Sequence, residues 1–118
     1  MSDFLKTFKE KKLEDRKNQA LDIIKKYPER CPVIVTKDPT CSLPSLSTHK
    51  FLVPRDITVS QFIHTIKNRN KIDASVALFV FINNTMPSTS QRMGNIYKKY
   101  KSDDYSLYIQ YTSENTFG

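Results

Sequence analysis

Four side chains could hold a metal or carry nucleophilic chemistry: Cys31, Cys41, His49 and His64. A structural zinc needs four thiolate or imidazole ligands at short recurring spacings, and these residues have no such spacing. Neither cysteine belongs to a Cys-x-x-Cys pair, and each lies close to a proline. In a cytosolic setting two free thiols are therefore expected rather than a disulfide. The histidines read as surface or partly buried residues without catalytic partners, and no Cys-His-Asp arrangement supports an enzyme. One group remains. The chain closes YTSENTFG, and the carboxylate of its last residue, Gly118, is itself a candidate working group. A frayed terminus also tolerates a bare glycine, so the elements leading to it must decide.

Those elements come from a globular composition, with 38% hydrophobic and 11% aromatic residues over 118 positions, enough for one core. Only two glycines are present, so no Gly-rich phosphate loop exists. The longest apolar run, Val76 to Ile82, falls far short of the ~20 residues of a membrane-spanning helix. The polar N-terminus has no signal-peptide core, which points to the cytosol. Net charge is +7, but Glu10, Glu14, Asp15, Asp22 and Glu29 interleave with the basic residues of the first helices. Such mixing marks a solvated face. With no aromatic RNA-binding signature, a basic nucleic-acid binder stands only as an alternative, and no nucleic acid is expected as a partner.

The pattern predicts a short amphipathic helix on Phe4, Leu5 and Phe8, then a longer one through Leu13, Ala20, Ile23 and Ile24, ended by Tyr27-Pro28. Cys31 to Lys37 reads as a buried strand, and Thr48 to Pro54 as a second. Thr58 and Gln61 form a capping box for a helix carrying Val59, Phe62, Ile63 and Ile66 up to about Arg69. Ala77 to Ile82 is a third strand followed by a turn at Asn83-Asn84. Ser88 or Ser90 is expected to cap a last helix over Met93, Ile96, Tyr97 and Tyr100, before a strand from Tyr105 to Tyr111.

Without its first two helices the order is ββαβ(α)β, an α+β arrangement of the ubiquitin-like β-grasp class: a four-stranded mixed sheet with a crossover helix. The expected organisation is an N-terminal helical extension over residues 1–27, a β-grasp core over 28–112 and a flexible tail over 113–118. The extension is expected on the sheet face opposite the crossover helix. In this fold the last strand is central, so the tail leaves the sheet freely.

The stretches KKYPERCPVIV, KFLVPRDITVSQF, ALFVFINN with downstream STSQRMG, and LYIQYTSENTFG resemble the autophagy ubiquitin-like modifiers, the family of GABARAP and microtubule-associated protein light chain three. The resemblance runs from about Leu13 to Gly118. It implies a modifier, not an enzyme. Activating and conjugating enzymes would carry the Gly118 carboxylate as an adenylate and then thioesters, and transfer it to the amine of phosphatidylethanolamine. No other cofactor and no metal is implied. A glycine suits a narrow channel beside a catalytic cysteine because it has no Cβ. Each buried CH₂ of the lipid adds about 0.8 kcal/mol, and two acyl chains would hold the domain on a membrane.

The resemblance further implies a deconjugating cysteine protease, tubulin as a possible partner, a monomeric soluble form, and a cytoplasmic location shifting to the autophagosomal membrane after lipidation. Cargo receptors would dock short aromatic-x-x-aliphatic motifs, preceded by acids, as an extra strand on the edge of THKFLVP. By position, the aromatic pocket would use Ile23, Pro32, Lys50 and Leu52. The aliphatic pocket would use Phe51, Val53, Pro54, Ile57, Phe62 and Ile66, with Arg69 at its rim. Phe62 and Ile66 serve equally well as ordinary core. Phe51 and Leu52 cannot both point inward, since strand side chains alternate. Phe79 and Phe81 read as core by default, and by resemblance help present the tail, with Phe117, to its enzymes. Gln19, Thr65 and Ser106 depart from the family pattern, and lost apolar area at Thr65 and Ser106 would shift partner preference. An unconjugated adaptor of the same fold, in vesicle trafficking or on tubulin, is the alternative function.

Overall fold

The computed structural model describes residues 3–44 and 46–113. Phe117 and Gly118 lie outside the described residues. Two helices come first, α1 (Asp3–Glu10) and α2 (Leu13–Lys26), followed by the strands β1 (Arg30–Lys37) and β2 (Lys50–Pro54). Then come α3 (Val59–Arg69), β3 (Leu78–Phe81), α4 (Met93–Tyr100) and β4 (Leu107–Ser113). α2 stops where Pro28 denies Tyr27 a helical backbone, and the Tyr27 N–H makes the last helical bond to the Ile23 carbonyl at 2.8 Å. α3 starts on the capping box: Thr58 Oγ1 accepts the Gln61 N–H at 3.2 Å, and Gln61 Oε1 accepts the Thr58 N–H at 2.8 Å.

Neither Ser88 nor Ser90 caps α4, contrary to expectation. Their hydroxyls bond each other at 3.0 Å, and the helix begins at Met93 without a side-chain cap. Backbone carbonyls take that role, as the Met93 N–H donates to Ile57 O at 2.8 Å and the Gly94 N–H to Arg55 O at 2.9 Å. This approach also accounts for Gly94, where a Cβ would stand 2.9 Å from Arg55 Cβ and 3.0 Å from its carbonyl oxygen. The last strand starts at Leu107 rather than Tyr105, because Tyr105 sits in a turn at φ 63. Asn83 and Asn84, at φ 51 and 63, close the tight turn between Ile82 and Thr85.

The strands run in the order β2-β1-β4-β3. β1 and β4 are parallel neighbours at the centre, while β2 and β3 pair antiparallel outside them. On one face Val33, Val35, Leu107, Ile109 and Tyr111 pack against α3, whose Phe62 and Ile66 are fully buried. Alternation turns Pro32, Ile34 and Tyr108 to the other face. There α2 rests through Ala20, and Arg16 reaches Tyr108.

Candidate functional site

β2 lies at the sheet edge, and its side chains split by parity. Phe51 and Val53 point into the core at 6% and 2% exposure, whereas Lys50, Leu52 and Pro54 turn outward. Among the described residues only one flank of β2 is paired, by β1, so a row of backbone donors and acceptors faces outward.

Beside that edge lies a cavity of about 350 Å³ under α1 and α2. Ile23, Pro32, Lys50 and Leu52, the four residues expected of the aromatic pocket, all line it. Phe8 and Ala20 add apolar wall, and Ile23 and Tyr27 remain exposed at the mouth. The Lys50 ammonium stands 4.9 Å from the Phe8 ring centroid. Burial, followed by repulsion from Lys11, lowers its pKa from the usual 10.5. The site therefore combines apolar walls with a cation at the rim, suited to an aromatic side chain next to an acid. Gln19 and Ser106, two of the departures from the family pattern, also line this cavity.

The residues of the expected aliphatic pocket are placed differently. Phe51, Val53, Phe62 and Ile66 belong to the packed core, with the Phe51 and Phe62 rings edge to face at 5.5 Å. Pro54 and Ile57 are half-buried and Arg69 is exposed, its guanidinium 5.9 Å from the Phe51 ring. Thr65 spends its hydroxyl on the Gln61 carbonyl at 3.1 Å. Phe79 and Phe81 are half-buried on the far edge strand, paired with Thr112 and Gln110.

One group escaped sequence reasoning. Asp104 is 1% exposed and accepts bonds from Arg16 Nη1 at 2.8 Å, the Ser106 N–H at 2.9 Å and the Tyr108 hydroxyl. Burial first, then the bond to Asp104, raises the Tyr108 hydroxyl above its usual pKa. Arg16 also lines the cavity, so this trio fixes one wall of it by tying α2 to β4. In the sequence Asp103-Asp104 looks like part of a turn, and no periodicity links it to Arg16. Cys31 and Cys41 are free and buried, and burial pushes the Cys31 thiol up to about 11. Among the described residues no group of three or more His, Cys, Asp or Glu is placed to hold a metal ion.

The family model for the autophagy protein Atg8, described as ubiquitin-like, matches residues 15–118. The chain belongs to the Atg8 family. It is 44% identical over 115 residues to autophagy-related protein 8h of Arabidopsis thaliana, with 97% of each chain covered. Against autophagy-related protein 8i of the same plant the identity is 46% over 115 residues, covering 97% of this chain and 100% of the other. The crystal structure of Trypanosoma brucei ATG8 superposes with a TM-score of 0.89 at 36% identity, covering 100% of this chain and 99% of that one. Atg8 proteins are ubiquitin-like modifiers and adaptors acting in autophagy, not enzymes. Among the described residues no helix is long and apolar enough to cross a membrane.

Proposed function

We propose that this Atg8 protein docks cargo receptors through acid-preceded aromatic-x-x-aliphatic motifs, and is joined through Gly118 to phosphatidylethanolamine during autophagosome formation. The observation that carries the docking reading is the outward edge of β2 beside an apolar cavity of about 350 Å³ rimmed by Lys50. A motif strand laid along Lys50 to Pro54 would gain backbone hydrogen bonds and drop its aromatic ring against Ile23, Pro32 and Leu52. Its acids would meet Lys50. The aliphatic residue, further along the strand, would sit over Pro54 and Ile57, and a deeper seat would require Phe51 and Phe62 to separate. The conjugation reading is supported by family membership and by the central position of β4, which ends at Ser113, close in the chain to Gly118. Attachment to the membrane then comes through the lipid, in the cytoplasm, by separate activating and conjugating enzymes.

Leu52→Ala and Lys50→Ala test the docking site without touching the core, unlike Phe51→Ala, whose ring is buried. Titrating a labelled peptide of this motif class by fluorescence anisotropy should show each variant weakening binding, and the pair together by more than roughly tenfold, or about 1.4 kcal/mol. Unchanged affinity in a folded double variant would refute the placement.

Conjugation is read separately, in a reconstitution with activating and conjugating enzymes, ATP and phosphatidylethanolamine vesicles. Gly118→Ala should slow transfer, because a methyl enters the narrowest point. Deleting Gly118 should abolish transfer without changing the melting temperature. Mass spectrometry of the C-terminal peptide decides: a deletion variant lipidated like its parent would exclude Gly118 as the attachment point.

A further inference from the structure

α2 touches the sheet along a narrow stripe and leaves a depression on each flank. Gln19, Ile23 and Tyr27 border the cavity next to β2, whereas Leu13, Lys17, Leu21 and Ile24 border the side facing α4. On that second flank two cavities, of about 270 and 570 Å³, share Lys98, Lys101 and Tyr105 and so form one groove. Its smaller end has an apolar floor of Leu21, Ile24 and Tyr97, with Leu21 37% exposed. Its larger end is ringed by Lys17, Lys98, Lys99 and Lys101, with Glu14 and Asp103 also on the wall.

Among the described residues none of these four lysines is ion-paired with a carboxylate. Three of the ammonium groups rest over rings instead: Lys17 and Lys101 lie 5.5 and 5.9 Å from the Tyr105 centroid, and Lys99 lies 5.2 Å from that of Tyr100. Cations held over rings keep their charge available to an incoming anion. The four lysines of this wall against the two carboxylates of Glu14 and Asp103 leave the larger end net positive. An apolar pocket continuous with unpaired cations matches a partner that carries both an apolar anchor and acids close in its chain. The apolar floor is confined to the end of about 270 Å³, which matches one inserted side chain rather than an extended membrane face.

We propose that the groove between α2 and α4 is a second docking site, independent of the β2 edge, for an acidic peptide segment of a protein partner. One aliphatic or aromatic side chain fills the space over Leu21, Ile24 and Tyr97. Two or three neighbouring carboxylates lie among Lys17, Lys98, Lys99 and Lys101. Because α2 separates the two sites, one molecule can hold both partners at once.

The test uses the full chain carrying Leu52→Ala, so that the β2 edge is impaired, as bait for phage-displayed random peptides. Enriched peptides are synthesised with a fluorescein label and titrated against the bait and its groove variants. Acid-rich sequences with a single large apolar residue should emerge. Their affinity should fall by more than roughly tenfold in Lys98→Glu with Lys101→Glu, fall in Leu21→Ala, and weaken as salt rises. Restoring Leu52 should change nothing. The proposal is overturned if no peptide is enriched, if the enriched peptides lack acids, or if groove substitutions leave affinity unmoved. It is overturned equally if only vesicles of phosphatidylserine and phosphatidylcholine bind in a lysine-dependent way, which would make the groove a membrane contact.

Discussion

Asp104 is the buried charge on which α2 and β4 meet. A buried pair broken from one side leaves its partner desolvated, at a cost of about 3–5 kcal/mol. Asp104→Ala should therefore destabilise the fold by that amount in denaturant unfolding, since Arg16, only 14% exposed, would lose its counter-charge. A loss under about 1 kcal/mol would mean that the pair behaves like a screened surface bridge. A second residue-scale effect concerns protons. Burial pushes the Cys31 thiol from 9.0 to about 11, and the Tyr97 and Tyr111 hydroxyls from 10.0 to about 12. Each group is neutral when protonated and holds its proton more tightly in the folded chain. Their contribution to stability is therefore complete below the unfolded values and is lost as pH rises through the folded ones. Melting temperatures by circular dichroism should stay level with respect to these groups up to about pH 9 and fall towards pH 12. A level profile throughout would contradict the burial of these three protons.

Among the elements, α3 owes its start to chemistry that two residues spell out. Thr58 and Gln61 satisfy each other's backbone donors, so Thr58→Ala should cost about 1 kcal/mol in urea unfolding. No measurable change would mean that the Thr58–Arg92 bridge alone holds the turn. Local signals of this kind were legible in the sequence. So were the Pro28 stop, the Asn83-Asn84 turn, and the parity that keeps Phe51 and Leu52 from both pointing inward; which of them does so came only with the structure. The α4 start was not, because its first N–H groups are taken by the carbonyls of Ile57 and Arg55, from a segment distant in the chain. A serine nearby cannot reveal that. The four residues that the resemblance names for an aromatic pocket line one cavity, and the peptide titration tests their role. Phe62 and Ile66 were ambiguous for a physical reason: the helix face that looks at β2 is the face that closes the core.

For the whole molecule, the net charge of +7 is only an average. Its useful part is local, in the Lys50 rim on one flank of α2 and the lysines of the groove between α2 and α4 on the other, each beside apolar surface. The sheet order carries a consequence for how the chain comes together in time. β1 and β3 share no ladder, and β4 lies between them and joins them, pairing residues as far apart in the chain as Val33 and Leu107. During synthesis β1, β2 and their helices emerge first, but they have no partner for the inner side of β1 until the final strand arrives. The central edge of β1 and the apolar face of β3 stay open for that interval, when chance pairing with another chain is easiest. Biosynthesis thus leaves closure of this fold to its last-made strand, the one that leads directly to the tail.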